Sequence, residues 1–179
     1  MISFKASLIN PVTIRRVISD NESYPQKASF VELDTNSNAD EKALRQVSRN
    51  WDAGTSFAWD IHNFFRETTD ECDCFLTRKF YALTSQRNNL ESLNADEILG
   101  LVQIDNQSNN YYIDFLQVEP ENSHNSYQRM FKGIGTAIIN SLKNICNKDI
   151  LLKSVGGTTD FYSKLGFEPE IGKYMILKR

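Results

Sequence analysis

Apolar positions along this chain follow two different spacings. Between residues 41 and 51, Ala43, Leu44, Val47 and Trp51 recur at helical intervals, and after Asp52-Ala53-Gly54 the residues Phe57, Ile61, Phe64 and Phe65 repeat the pattern. Two amphipathic helices are predicted there. Residues 75–85, 97–104 and 110–118 are instead rich in β-branched and aromatic residues, which predicts three strands. Polar connectors at 86–96 and 105–109 join them as an antiparallel meander. Upstream, only Phe30, Val31 and Leu33 stand out, a predicted first strand closed by the polar stretch 34–41. Downstream, Gly133 and Gly135 open a helix in which Ile134, Ala137, Ile138, Leu142 and Ile145 share a face. Residues 150–155 then read as a buried strand, 158–165 as a short helix and 174–178 as a closing strand. The expected order is strand, two helices, three strands, helix, strand, helix and strand.

The chain has 179 residues, with 20 Lys plus Arg against 23 Asp plus Glu and a net charge of −3. That length suits a single domain, residues 1–179, and the composition is that of an ordinary folded protein. The slight acidity argues against a broad basic face, so nucleic acid is not the expected partner. No segment has the roughly 18–20 continuous apolar residues of a spanning helix, and the first residues lack a signal peptide's long apolar centre. No membrane contact is expected, and the cytoplasm is the expected location. Cys72, Cys74 and Cys146 are odd in number, and Cys-Asp-Cys is not a zinc spacing, so free thiols and no metal are expected.

The segment 128–137, Gln-Arg-Met-Phe-Lys-Gly-Ile-Gly-Thr-Ala, lies between a strand and an amphipathic helix. Glycines at a first helical turn let an anion approach the backbone, where unpaired N–H groups and the positive end of the helix dipole bind phosphate. A Gly-Ile-Gly helix start also serves close packing, and both roles stand at this level. The spacing is not that of a P-loop, nor is it the full dinucleotide fingerprint. A second element, residues 160–167, places Phe161 and Tyr162 in a short helix that Gly166 ends in a left-handed cap. By itself this is a helix terminus packing two aromatics.

In combination these elements resemble the GNAT superfamily of N-acetyltransferases. The strand ending Val118-Glu119-Pro120, the Gly-x-Gly helix start, a later strand, then Phe161-Tyr162-x-x-x-Gly166-Phe167 and a final strand carry the resemblance over residues 97–179. The first half matches in the order of its elements. The resemblance implies an α/β fold with a mixed, mostly antiparallel sheet, splayed in the middle and flanked by helices. Residues 1–95 would form the acceptor side and 97–179 the half that binds acetyl-coenzyme A, the co-substrate. The pantetheine arm would lie between the strand ending at Val118 and the strand 150–155, bonded by edge groups around Leu116 and Val118. The pyrophosphate would sit on backbone N–H groups of Met130, Phe131, Lys132, Gly133, Ile134, Gly135 and Thr136. Met130 stands where the family has Arg or Gln, and Phe131 where it usually has a further glycine. The loop 120–133 is several residues longer than the family's, and Gln128 and Arg129 flank the phosphate position.

For chemistry, an acceptor amine must lose a proton and the coenzyme A thiolate must gain one. Tyr162 matches the family tyrosine that serves as general acid, with packing on the pantetheine as its other role. Candidate bases are Asp114 and Glu119, which simple alternation puts on opposite faces of their strand. His62 is expected at the surface or as a cap, and His124 falls in the polar loop. Phe57, Ile61, Phe64 and Phe65 form a core stripe, Trp59 lies off it, and Cys146 is expected to be a buried apolar residue. The expectation is an N-acetyltransferase acting on a primary amine by direct attack in a ternary complex. A polyamine, an aminoglycoside, a protein amine and an aminoacyl-tRNA all stay open as acceptors, as does a homodimer. The alternatives are a catalytically silent acyl-coenzyme A binding or interaction module, and a relative whose cleft Phe131 plugs.

Overall fold

The computed structural model describes residues 5–19, 21–51, 57–69, 77–123 and 126–179. In chain order these form β1 (Ser7–Ser19), β2 (Glu22–Glu32), α1 (Asn38–Asn50), α2 (Phe57–Thr69), β3 (Arg78–Thr84), β4 (Ile98–Asn106), β5 (Asn110–Val118), β6 (Phe131–Lys132), α3 (Ile134–Ile145), β7 (Asp149–Lys153), α4 (Thr159–Lys164), β8 (Glu168–Pro169) and β9 (Tyr174–Leu177). The strands make one sheet in the order β6-β1-β2-β3-β4-β5-β7-β9-β8. Every pairing is antiparallel except β5 with β7. The mixed sheet and its flanking helices are those expected.

Alternation along the strands sends side chains to two cores. On one face, Leu44 and Val47 of α1 and Ile61 and Phe65 of α2 pack on Val31, Phe80 and Leu101. On the other, Ile138 and Leu142 of α3 cover Phe30, Leu83, Val102, Ile104 and Ile150. Full burial of side chains of this size stabilises by about 1.5–3 kcal/mol each, so both layers are held chiefly by apolar contact. Gly100 of β4 sets how closely α3 approaches. A Cβ there would lie 2.7 Å from Ile138 Cδ1 and 3.0 Å from Ile134 Cγ2.

The N-terminal region departs from expectation. Instead of one strand around Phe30, a long hairpin runs from Ser7 to Glu32, with Ala28, Ser29, Phe30 and Val31 buried at its inner end. Most of β1 and the outer half of β2 lie in solvent, and Ile14 is the one fully buried apolar residue of β1. Cross-strand backbone bonds hold this hairpin, so it carries little hydrophobic contrast to read. The meander β3–β4–β5 forms as expected within the described residues, while residues 75 and 76 lie outside them.

Alternation on β5 is broken by a bulge. Gln103 pairs with Phe115 and Ile104 with Ile113, so Asp114 is an extra residue without an opposite number. Such an insertion puts two consecutive residues toward one face. Asp114 therefore accepts a hydrogen bond from Gln103 Nε2 at 3.1 Å on the α1/α2 side, with Phe115. Glu119 also lies on that side, next to Trp51. The expectation that the two carboxylates occupy opposite faces is thus corrected.

Candidate active site

β5 and β7 are paired only from Asn110 to Ile113 against Asp149 to Leu152, and then part. Beyond Ile113 the β7-side edge of β5, including Leu116 and Val118, is free of that strand. The pairing ends next to Asp114, at the bulge, a feature that bends a strand and adds local twist. An extended chain could add there as a strand.

Close beside it starts α3. Gly133 is its N-cap, in the left-handed region with φ 82°, and no side chain caps the helix. The amides of Ile134, Gly135 and Thr136 therefore have no intrahelical acceptor, and they mark the positive end of the dipole. A Cβ on Gly133 would meet nothing within 4 Å, so the approach to this turn is open. Gly135 is different, because a Cβ on it would stand 3.1 Å from Phe161 Cζ and 3.8 Å from Val118 Cγ2. The missing side chain brings α3, α4 and the end of β5 together. The turn at Gly133 is open, whereas Gly135 serves close packing.

The amides of Met130 and Phe131 do not face this opening. Both donate to Asn122 Oδ1, at 3.0 and 2.7 Å. Phe131 and Lys132 form β6, paired with Arg16 and Arg15 of β1 at the edge of the sheet, and Met130 O accepts from Val17 N. Of the amides expected to hold a pyrophosphate, those of Met130 and Phe131 are therefore engaged at Asn122, which leaves those of the first turn of α3 without an acceptor. Phe131 pairs at the β1 edge and packs on the α3 core. Arg129 is occupied too, its Nε donating to Phe131 O at 2.9 Å.

Tyr162 sits on α4, packed on the α3 core between Phe161 and Phe167 with ring centroids 5.0 and 5.7 Å away. The helix ends as the glycine predicted. Gly166 has φ 89°, its N–H bonds Ser163 O, and the Phe167 N–H bonds Tyr162 O. Lys143 Nζ donates to Leu165 O and ties this terminus to α3. Burial pushes the Tyr162 phenol above its ordinary value, and its hydroxyl bonds no other described residue. At neutral pH it is protonated.

On the opposite face, Glu119 directly follows β5 and lines a cleft of about 350 Å³ with Asn50, Trp51, Ala95, Asp96, Pro120 and Glu121. Burial raises its pKa, the neighbouring Glu121 and Asp96 raise it further, and a hydrogen bond from Asn122 Nδ2 to Oε2 opposes them. Asp114 is raised by burial above all, and by Asp105, against the Gln103 bond and Arg78. Two carboxylates with elevated pKa values thus share the α1/α2 face.

Other candidates find structural roles. His62 is buried, with Nε2 3.1 Å from Glu41 Oε1 between α2 and α1, so it is neither at the surface nor a cap. Ile61 and Phe65 are core residues as the stripe predicts, whereas Phe57 and Phe64 lie on Phe115 of β5 at 5.4 and 5.8 Å. Trp59 is exposed and near His62. Cys146 is a buried free thiol raised to about 11 by burial. His124, Cys72 and Cys74 fall outside the described residues. Sequence reasoning missed Asn122, fully enclosed at the base of a uniformly polar loop, and Gln117, whose Oε1 accepts from Ala58 N at the start of α2. Nothing in the surrounding Glu-Asn-Ser-His-Asn-Ser run marks one asparagine above the other.

No protein-family model matches the sequence, and no curated protein does. Solved structures do resemble the fold. A protein assigned to the GNAT acetyltransferase family from Desulfovibrio desulfuricans matches with TM-score 0.56 and 14% identity, over 84% of this chain and 98% of that one. The PaiA N-acetyltransferase of Thermoplasma acidophilum, solved with coenzyme A, matches at TM-score 0.51 and 16% identity, over 83% and 96%. Arabidopsis thaliana NAA60, solved with acetyl-CoA, matches at 0.52 and 14%, over 84% and 98%. The chain has the fold of the GNAT acetyltransferases.

Proposed function

We propose that this protein is an acetyl-coenzyme A dependent N-acetyltransferase acting on a primary amine by direct attack. One observation carries the proposal: the uncapped start of α3 at Gly135 meets Val118, on the part of β5 that has left β7, and Phe161, the neighbour of Tyr162 on α4. Two of the similar structures were solved with coenzyme A or acetyl-CoA, which supports the same ligand here. The amides of Ile134, Gly135 and Thr136 would hold its pyrophosphate, and the free edge at Leu116 and Val118 its pantetheine amides. When bound, it supplies an acetyl thioester.

The remaining work falls to this chain's side chains. Glu119, its pKa raised, takes the proton of an incoming ammonium, directly or through water. Asp96 and Glu121 beside it favour a cationic acceptor, as does the negative end of α1 at Asn50. Asp114, fastened to Gln103, is the second candidate. Tyr162, kept protonated by burial, delivers a proton to the sulfur as the thiolate leaves.

Calorimetric titration with acetyl-coenzyme A, using desulfo-coenzyme A and ATP as controls, tests the reading, followed by a screen of cationic amines. Binding is expected near micromolar, about −8 kcal/mol, and confined to the coenzyme A compounds. Binding without transfer would support the silent module instead, and absence of binding would refute both.

A further inference from the structure

Between the candidate base and the backbone that leads into α3 lies a side chain that bonds to both. Asn122 ends the 3-10 turn Pro120–Asn122 directly after β5 and is 1% exposed. Its Nδ2 donates to Glu119 Oε2, while its Oδ1 accepts from Met130 N at 3.0 Å and Phe131 N at 2.7 Å. Its own N–H bonds Glu119 O at 2.9 Å. We infer that Asn122 is a positioning residue, one buried amide that holds the Glu119 carboxylate and the backbone leading into α3 as a single hydrogen-bonded unit. The inference rests on the acetyltransferase reading and deepens it by linking the two halves of the site.

The chemistry of the group fits the task. A carboxamide donates and accepts from one planar end, so it satisfies a carboxylate on one side and two amides on the other. An ionised carboxylate could not donate, and a hydroxyl has one proton to give. The backbone that Asn122 holds continues into β6, fastened to β1 through the Arg16–Phe131 and Arg15–Lys132 pairs, and then to Gly133, whose left-handed turn aims the free amides of α3. Met130 is half exposed, so its amide and not its side chain anchors this stretch.

On the other side, the charged groups facing Glu119 are Asp96 from the turn before β4 and Glu121 from its own turn, both anionic, while α1 contributes Asn50 and Trp51. Among the described residues no cation lines this cleft. The Asn122 amide is therefore what favours the ionised, basic form of Glu119 against burial and two carboxylates. A shift of the loop would be felt at the base, and protonation of the base would be felt at the loop.

Two substitutions separate this from a purely structural role. Asn122→Asp keeps an acceptor for both amides but sets a carboxylate against Glu119. Coenzyme A affinity should stay within about threefold, while the Glu119 carboxyl, followed by carbon-13 NMR, titrates about one unit higher and the acidic limb of the pH–rate profile moves with it. Asn122→Ala frees the amides as well, and should also weaken coenzyme A binding about tenfold. Should the alanine variant not fold, the aspartate variant decides alone. An unchanged Glu119 midpoint in Asn122→Asp, or wild-type coenzyme A affinity in folded Asn122→Ala, overturns the inference. The NMR titration needs no acceptor, so these outcomes differ from wild-type protein that binds no coenzyme A, which would instead sink the acetyltransferase reading.

Discussion

Tyr162 and Glu119 differ in what surrounds them, and so in what their replacement should do. The phenol is enclosed by Phe161 and Phe167, so removal of its oxygen leaves the packing in place. Tyr162→Phe should lower kcat by about 10²-fold, within the range for loss of one general acid, with coenzyme A affinity nearly unchanged. Equal loss in turnover and affinity would show that the ring only packs. In the proposed reaction Glu119 works ionised, and burial with Asp96 and Glu121 nearby raises its pKa. Activity should therefore fall as pH drops through a midpoint above the ordinary glutamate value, and Glu119→Gln should abolish that limb along with most turnover. A persisting limb in the glutamine variant would transfer the role to Asp114.

At the scale of elements, the glycines show which contacts build the opening. Gly133 holds α3's first turn with φ 82°, and Gly133→Ala should cost about 1–2 kcal/mol of stability from that dihedral alone. Gly135→Val should push Phe161 away from α3 and reduce coenzyme A affinity, because the ring already lies 3.1 Å from the position of a Cβ. Titration of the folded variant checks this, and unchanged affinity would remove the first turn of α3 from the site. Gly100→Ala tests the sheet beneath. The new methyl group would overlap the enclosed Ile138, and thermal unfolding should report a loss of about 1–3 kcal/mol.

For the whole molecule, pH couples to stability through buried carboxylates. Asp40 of α1 is fully enclosed; it accepts from Asp34 N at 2.9 Å, and its other oxygen has no partner among the described residues. Burial foremost raises its pKa to about 6. The folded state thus binds the proton more tightly than the unfolded chain, so stability from this group is full below the ordinary aspartate value and is lost as pH rises toward 6. The difference is on the order of 3 kcal/mol. Asp114 and Glu119 act in the same sense, whereas Glu41, held low by His62 and Arg45 despite its burial, acts in the opposite one. Unfolding midpoints should be higher at pH 5 than at pH 7.5, and Asp40→Asn should flatten that slope. A slope unaffected by this substitution would place the pH dependence elsewhere.

The C-terminal half was legible because its signals are local. The helical spacing of Ile134, Ala137, Ile138 and Leu142 needs only a 3.6-residue period, the left-handed Gly166 only a backbone preference, and the three-strand meander only runs of strand formers between polar connectors. The hairpin β1–β2 was not, since backbone pairing in solvent leaves no apolar pattern. Nor was the common face of Asp114 and Glu119, which depends on one extra residue in a register set by β4.

The sequence by itself therefore determined the order of the central and C-terminal elements, the glycine helix start and the place of Tyr162, all consequences of spacing and local backbone freedom. Only the tertiary structure decided at which residue β5 leaves β7, that β1 takes up Phe131 and Lys132, and that Asn122 bonds Glu119 to the backbone before α3. The first two are pairings between segments distant in the chain, and the third is a bond within a loop whose far end β1 holds. A hydrogen bond takes its partner from whatever packing brings within about 3 Å, and no local pattern of polar residues carries that information.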